Sequence, residues 1–143
     1  MSKETLGQSN KVTVVGGTNP VTGDSSYDIN PDDDVISISG LTGANAWLGG
    51  TITLPGPATQ GAGNGPNNGD HYEIADPTNA LTTTGHTVTI NGGGYKFLGA
   101  AGTGMVTQAV ISGLTVALTT FGQPQRTCIN FTFDALQQIW IVC

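Results

Sequence analysis

Ten acidic residues, two histidines and two cysteines are the side chains of this 143-residue chain with metal-binding or proton-moving chemistry to offer. The densest group is Asp32-Asp33-Asp34, and hard cations such as calcium take several carboxylate oxygens at once. A helix-loop-helix calcium site would space its acids at alternate positions around a glycine, and this triplet does not. Consecutive acids point to opposite sides of an extended chain, so they cannot all face one ion. The triplet reads as a solvated acidic turn. Zinc needs three or four ligands, and neither His71 nor His86 has an acid or cysteine at a matching spacing. His71 alternates with Tyr72 and Ile74, which sets it on the solvent side of a strand whose other side faces a core. Cys128 and Cys143 are too few for a disulfide framework and lack metal-site spacing. No metal and no cofactor are expected.

Catalysis needs a nucleophile with a positioned base, or two carboxylates across a cleft. Asp70, Glu73 and Asp76 cluster in one short stretch beside a glycine-rich loop, whereas paired catalytic carboxylates are held across a cleft with a sugar between them. Asn91-Gly92-Gly93 has the glycines of a phosphate loop but not the Lys-Ser/Thr or the following helix. It reads as a hairpin turn, because Asn-Gly supplies the positive φ angles that tight turns need. The expectation is a protein that is not an enzyme.

Composition narrows the partners. Charged residues are 10% of the chain, against roughly 25% in ordinary soluble domains. Glycine contributes 22 residues, and Thr, Asn, Ser and Gln fill most polar positions. Such a surface is neutral and hydrogen-bonding, and it suits packing against copies of itself or a partner. The net charge of −6 is uneven. Residues 1–76 hold Lys3 and Lys11 against nine acids, and the remainder holds Lys96 and Arg126 against Asp134. Four scattered basic residues form no cationic groove, so nucleic acid is excluded as a partner. The opening MSKETLGQSN lacks the basic and apolar regions of a secretory signal. No apolar run reaches the roughly 20 residues a spanning helix needs. Synthesis in a cytoplasm, without a membrane partner, is expected.

The elements that would position any site are strands. No window repeats apolar residues at helical spacing, and Gly, Pro, Asn or Thr interrupts every candidate. Short alternating or β-branched runs recur instead, at residues 11–15, 35–39, 47–54, 71–75, 86–90, 95–98, 105–112, 114–120, 126–133 and 138–143. This pattern predicts an all-β fold, a β-sandwich or jelly-roll-like domain over residues 34–143. Residues 1–33 hold one strand pattern and a turn-rich stretch, and are assigned to an extended N-terminal arm. Residues 55–70, PGPATQGAGNGPNNGD, form a loop of the length that is usually functional. Candidate contact residues are therefore Lys11, Val12 and Val14 in the arm and Pro55, Gln60, Asn64 and Asn68 in the loop.

The C-terminal hairpin carries a more detailed expectation. Ile129, Phe131 and Phe133 share one face with Trp140 and Val142 if Phe133 lies opposite Gln138. The pairs are then Phe131 with Trp140 and Ile129 with Val142, and Cys128 falls opposite Cys143 on the reverse face.

Three segments in order, GDHYEIADP at residues 69–77, HTVTINGGGYKF at 86–97 and FTFDALQQIWIVC at 131–143, resemble a pattern of tailed-phage virion proteins. These include head decoration (cement) proteins and short fibre domains. The resemblance covers residues 54–143. Its usual final turn contains glycine, whereas this chain has Asp134-Ala135-Leu136-Gln137. It implies a β-module that oligomerises on a virion: a capsid decoration protein binding the major capsid protein at junctions on the outer head surface. The alternative is a tail fibre or tail-tip module binding a host surface glycan. Closed symmetry at capsid junctions admits a trimer or a dimer, and a trimer is preferred.

Overall fold

The computed structural model describes residues 11–17, 25–40, 43–61, 65–78, 88–101, 104–106, 113–116 and 128–142. Alternation of apolar and polar residues produces its strands. In Val35–Ile38 the side chains of Ile36 and Ile38 are buried while Val35 and Ser37 are half-exposed. In Cys128–Asp134 the buried set is Ile129, Phe131 and Phe133. Each such buried aliphatic or aromatic side chain contributes about 1.5–3 kcal/mol.

The strands in chain order are β1 (Val12–Val15), β2 (Ser25–Asp28), β3 (Val35–Ile38), β4 (Gly50–Thr53), β5 (His71–Ala75), β6 (Val88–Asn91), β7 (Lys96–Ala101), β8 (Gly104–Val106), β9 (Gly113–Val116), β10 (Cys128–Asp134) and β11 (Ile139–Val142). A single helical turn, Pro57–Gln60, follows β4. No helix among the described residues is long and apolar enough to cross a membrane. The fold is all-β.

Two sheets share one core. A seven-stranded sheet runs β1-β3-β5-β10-β11-β7-β8, and a four-stranded sheet runs β2-β4-β6-β9. The chain alternates between them, so β1, β3 and β5 lie side by side in the large sheet, and β2, β4 and β6 in the small one. All four of these neighbour pairings are parallel. The N-terminal half is thus a stack of three coils, each giving one strand to each sheet. A jelly roll is antiparallel throughout, and the expectation of one is corrected here. Strand-to-strand spacing explains why no repeat is evident in the sequence: Val12 faces Val35, 23 residues on, but Val35 faces Glu73, 38 residues on. The insertion lies partly in the loop after β4.

Three further expectations change. The turn-rich stretch before residue 33 contains a strand, β2, and Ile29 and Asp33 are buried. Residues 12–15 belong to the large sheet and residues 25–28 to the small one; residues 1–10 and 18–24 lie outside the described residues. The Asn91-Gly92-Gly93 turn joins β6 of the small sheet to β7 of the large one, so it closes no hairpin. Its positive φ angles fall at Gly93 and Gly94, and a Cβ on Gly93 would meet the Leu54 carbonyl at 2.2 Å. Finally, the β10–β11 register places Phe131 opposite Val142 and Phe133 opposite Trp140. This is a shift of two residues from the expected pairing. An even shift keeps every side chain on its face, so Trp140 is still fully buried. The four-residue turn moves on by one, to residues 135–138, and is organised by Asp134, whose carboxylate accepts from the Leu136 and Gln137 N–H groups at 3.0 and 3.1 Å. Cys128 pairs with Ala75 of β5, and the expected opposition to Cys143, itself outside the described residues, is lost with the register.

Candidate assembly surface

Among the described residues β1 is one edge of the large sheet and β8 the other. β1 exists as a strand because Val12-Thr13-Val14-Val15 is β-branched throughout, and it is oriented by β3. The Val35 N–H donates to the Lys11 carbonyl and the Ser39 N–H to the Val15 carbonyl, both at 2.9 Å. In a parallel ladder alternate residues direct both backbone groups to the neighbour. Thr13 and Val15 therefore face β3, while the N–H and C=O of Val12 and Val14 point off the edge. The Val12 and Val14 side chains are 59% and 66% exposed. β2, one edge of the small sheet, differs. Its outward residues are Ser26 and Asp28, and a charge on an edge strand blocks further pairing.

One buried carboxylate locks the two edges together. Asp33 is fully buried, against the expected solvated acidic turn, because donors from three directions reach it. Oδ2 accepts from the Tyr27 hydroxyl at 2.6 Å and the Asn30 N–H at 3.0 Å. Oδ1 accepts from the Thr13 hydroxyl at 2.9 Å and lies 3.1 Å from the Lys11 ammonium. Burial pushes the carboxyl up, but the bonds from Tyr27, Asn30, Lys11 and Thr13 outweigh it and hold it below its ordinary 3.8. The same contacts raise Lys11, chiefly through its bond to Asp33; burial, and then its own hydrogen bond to Asp33, raise Tyr27. Asp34 accepts the Lys11 backbone N–H at 2.7 Å, while the Asp32 side chain is 79% exposed. The three acids thus have three different environments. Sequence reading missed Asp33 as a lock, because three of its four donors, on Lys11, Thr13 and Tyr27, lie outside its own turn.

The outer faces carry few charges. Val14, Ser37, Ala75 and Cys128 align across four strands of the large sheet. On the small sheet Ser26, Thr51 and Thr89 form one row and Asp28, Thr53 and Asn91 the next. His71 is exposed, with its ring nitrogens 3.0 and 3.1 Å from Thr132 and Asn130, while His86 lies outside the described residues. Asp70, Tyr72, Ile74 and Asp76 are buried on the inner side of β5 and its ends, and Glu73 points the other way. The acids of that stretch therefore do not converge. Among the described residues no group of three His, Cys, Asp or Glu side chains is placed to hold a metal ion.

The loop after β4 is anchored at both ends. Pro55 and Gly56 are buried, and a Cβ on Gly56 would meet the Gly93 carbonyl at 2.2 Å. At the far end the Gly69 N–H donates to the Phe133 carbonyl and the Phe133 N–H to the Asp70 carbonyl, both at 2.8 Å. Gln60 is half-buried, and exposed Asn68 accepts the Ala135 N–H at 3.0 Å. Asn64 lies outside the described residues. The structure brings Lys11, Val12 and Val14 together on one edge, whereas Pro55 lies against Gly93 and Asn68 against Ala135.

No family model matches the chain, and no curated protein matches it. Among solved structures it is similar to a chain in a "Structure of a chaperone-substrate complex", at 15% identity and a TM-score of 0.41. The match covers 92% of this chain and 16% of that one. A likeness of this degree bears on neither fold nor function.

Proposed function

We propose that the chain is a non-catalytic building block of a bacteriophage particle: a capsid decoration protein, made in the host cytoplasm. It binds the outer head surface as a homo-oligomer and stabilises junctions between major capsid protein subunits. The observation that carries this reading is the β1 edge, with outward backbone groups at Val12 and Val14 and two exposed valines beside a sheet face of few charges. Exposed edges recruit further strands, and proteins that do not use them blunt them with charge. The resemblance over residues 54–143 gives the particle as the setting. The mechanism is mechanical: several weak contacts made together must all break before the protein leaves the shell.

A reconstruction of the intact particle tests the reading. Density for the chain at capsomer junctions on the head is the expected result, and density confined to the tail overturns it. The tail result would favour a fibre module binding a host glycan. That second reading draws on the small sheet, whose outer rows of Ser26, Thr51, Thr89, Thr53 and Asn91 offer neutral hydrogen-bonding groups of the kind that meet sugar hydroxyls.

A further inference from the structure

We infer that two copies of this chain join through β1, pairing antiparallel across a twofold axis with Val12 opposite Val14 of the other copy. The inference begins with which backbone groups are left over. Among the described residues β1 has one neighbour, β3, and only Val12 and Val14 direct N–H and C=O away from it. In an antiparallel ladder, a pair of residues whose groups face each other exchanges two hydrogen bonds. Two outward residues separated by one position are therefore self-complementary. Val12 bonds Val14 of the partner copy and Val14 bonds its Val12, which gives four hydrogen bonds and leaves no outward group of β1 unpaired.

Side chains and charge agree with this arrangement. The two cross-strand pairs are valine against valine, on the face where both are now more than half exposed, and β-branched pairs stabilise sheets. Each copy has its Asp32-Asp33-Asp34 group beside Lys11, at the start of β1. Antiparallel pairing sends the two acidic groups to opposite ends of the ribbon. Four residues at about 3.4 Å each separate them by roughly 14 Å, beyond the screening length of about 8 Å. Parallel pairing would abut them. The β2 edge of the small sheet does not compete, because Asp28 occupies its outward position.

A four-residue ribbon buries far less than the roughly 1,200 Å² of a stable interface. The contact is accordingly weak in dilute solution and strengthens where copies are held close, as on a shell. An isologous contact closes at two copies, so this edge makes a dimer rather than the preferred trimer.

Two measurements on the purified full chain test it. Amide exchange of Val12 and Val14 should slow as concentration rises into the millimolar range, while Thr13 and Val15, already bonded to β3, stay constant. Sedimentation over the same range should show dimers. Identical exchange at all concentrations overturns the inference, as does a trimer, or open-ended growth, in which these amides remain unprotected. The register is tested by two double variants at exposed positions, which leave the β1–β3 bonds in place. Val12→Lys with Val14→Lys sets like charges opposite each other and should weaken dimers at least about tenfold. Val12→Lys with Val14→Glu sets opposite charges against each other twice and should restore them. Equal affinities for the two variants overturn the register. These outcomes are separable from the particle assignment: a dimer made by a protein absent from phage heads sinks only the decoration reading, and a monomer found on heads sinks only the pairing.

Discussion

The indole Nε1 of Trp140 donates to the carbonyl of Gly92 at 3.0 Å, joining the terminal hairpin to the turn that carries the chain from the small sheet to the large one. Both groups are buried, and Trp140 also meets Phe133 and Tyr72 at ring-centroid distances of 4.9 and 5.8 Å. Trp140→Ala should cost about 3–5 kcal/mol. Trp140→Phe keeps the aromatic body and removes one of two donors to the Gly92 carbonyl, which also accepts the Tyr95 N–H at 3.2 Å, at a cost of about 0.5–1.5 kcal/mol. Urea denaturation measures both. A Phe variant as stable as the parent would mean that the hydrogen bond contributes nothing.

Asp33 predicts a pH dependence whose sign is fixed by its lowered carboxyl. Its stabilisation is fully present above the unfolded value of 3.8 and is lost as pH falls through the lower folded value. Melting curves of the parent and of Asp33→Asn should run parallel from neutral pH down to about 4 and converge only below that. At neutral pH the variant should be about 1.5–3 kcal/mol less stable, the range for hydrogen bonds to a charged group. Convergence already at pH 5 to 6 would assign the titration to another group.

The same carboxylate predicts indifference to calcium. Four protein donors reach its two oxygens, so a cation would have to displace them. Millimolar calcium should leave the melting temperature unchanged. A rise, as linkage requires of any ligand bound by the native state alone, would refute the description of Asp33 as a lock.

Gly50 tests the pairing of β2 with β4. Its φ is +149° and a Cβ there would lie 1.7 Å from the Ser25 carbonyl oxygen. Gly50→Ala should cost more than about 1 kcal/mol, from an incompatible backbone and a clash with backbone rather than a movable side chain. Amide exchange should accelerate at Ser25 and Tyr27 before it does in β5. Uniform acceleration would show that β2 does not open separately.

The sequence by itself determined which residues face inward. Alternation sets Ile36 with Ile38, Tyr72 with Ile74, and Ile129 with Phe131 and Phe133, and all of these are buried. It set Trp140 on the core face too, and a register error of two residues left that assignment intact, since the side-chain period is two. It did not reveal β2, where Ser25-Ser26-Tyr27-Asp28 has one strong strand former. That strand is held by Thr51 and its neighbours in β4 rather than by its own propensity. Nor did the sequence determine which strands are neighbours. Alternation reads the same in a parallel and an antiparallel ladder, so it cannot distinguish stacked coils from a jelly roll. The buried state of Asp33 was equally hidden, because its donors come from Lys11, Thr13, Tyr27 and Asn30, up to 22 residues away. Only the tertiary structure, by laying β1 and β2 against successive coils, brings those donors to one carboxylate and leaves Val12 and Val14 at an open edge.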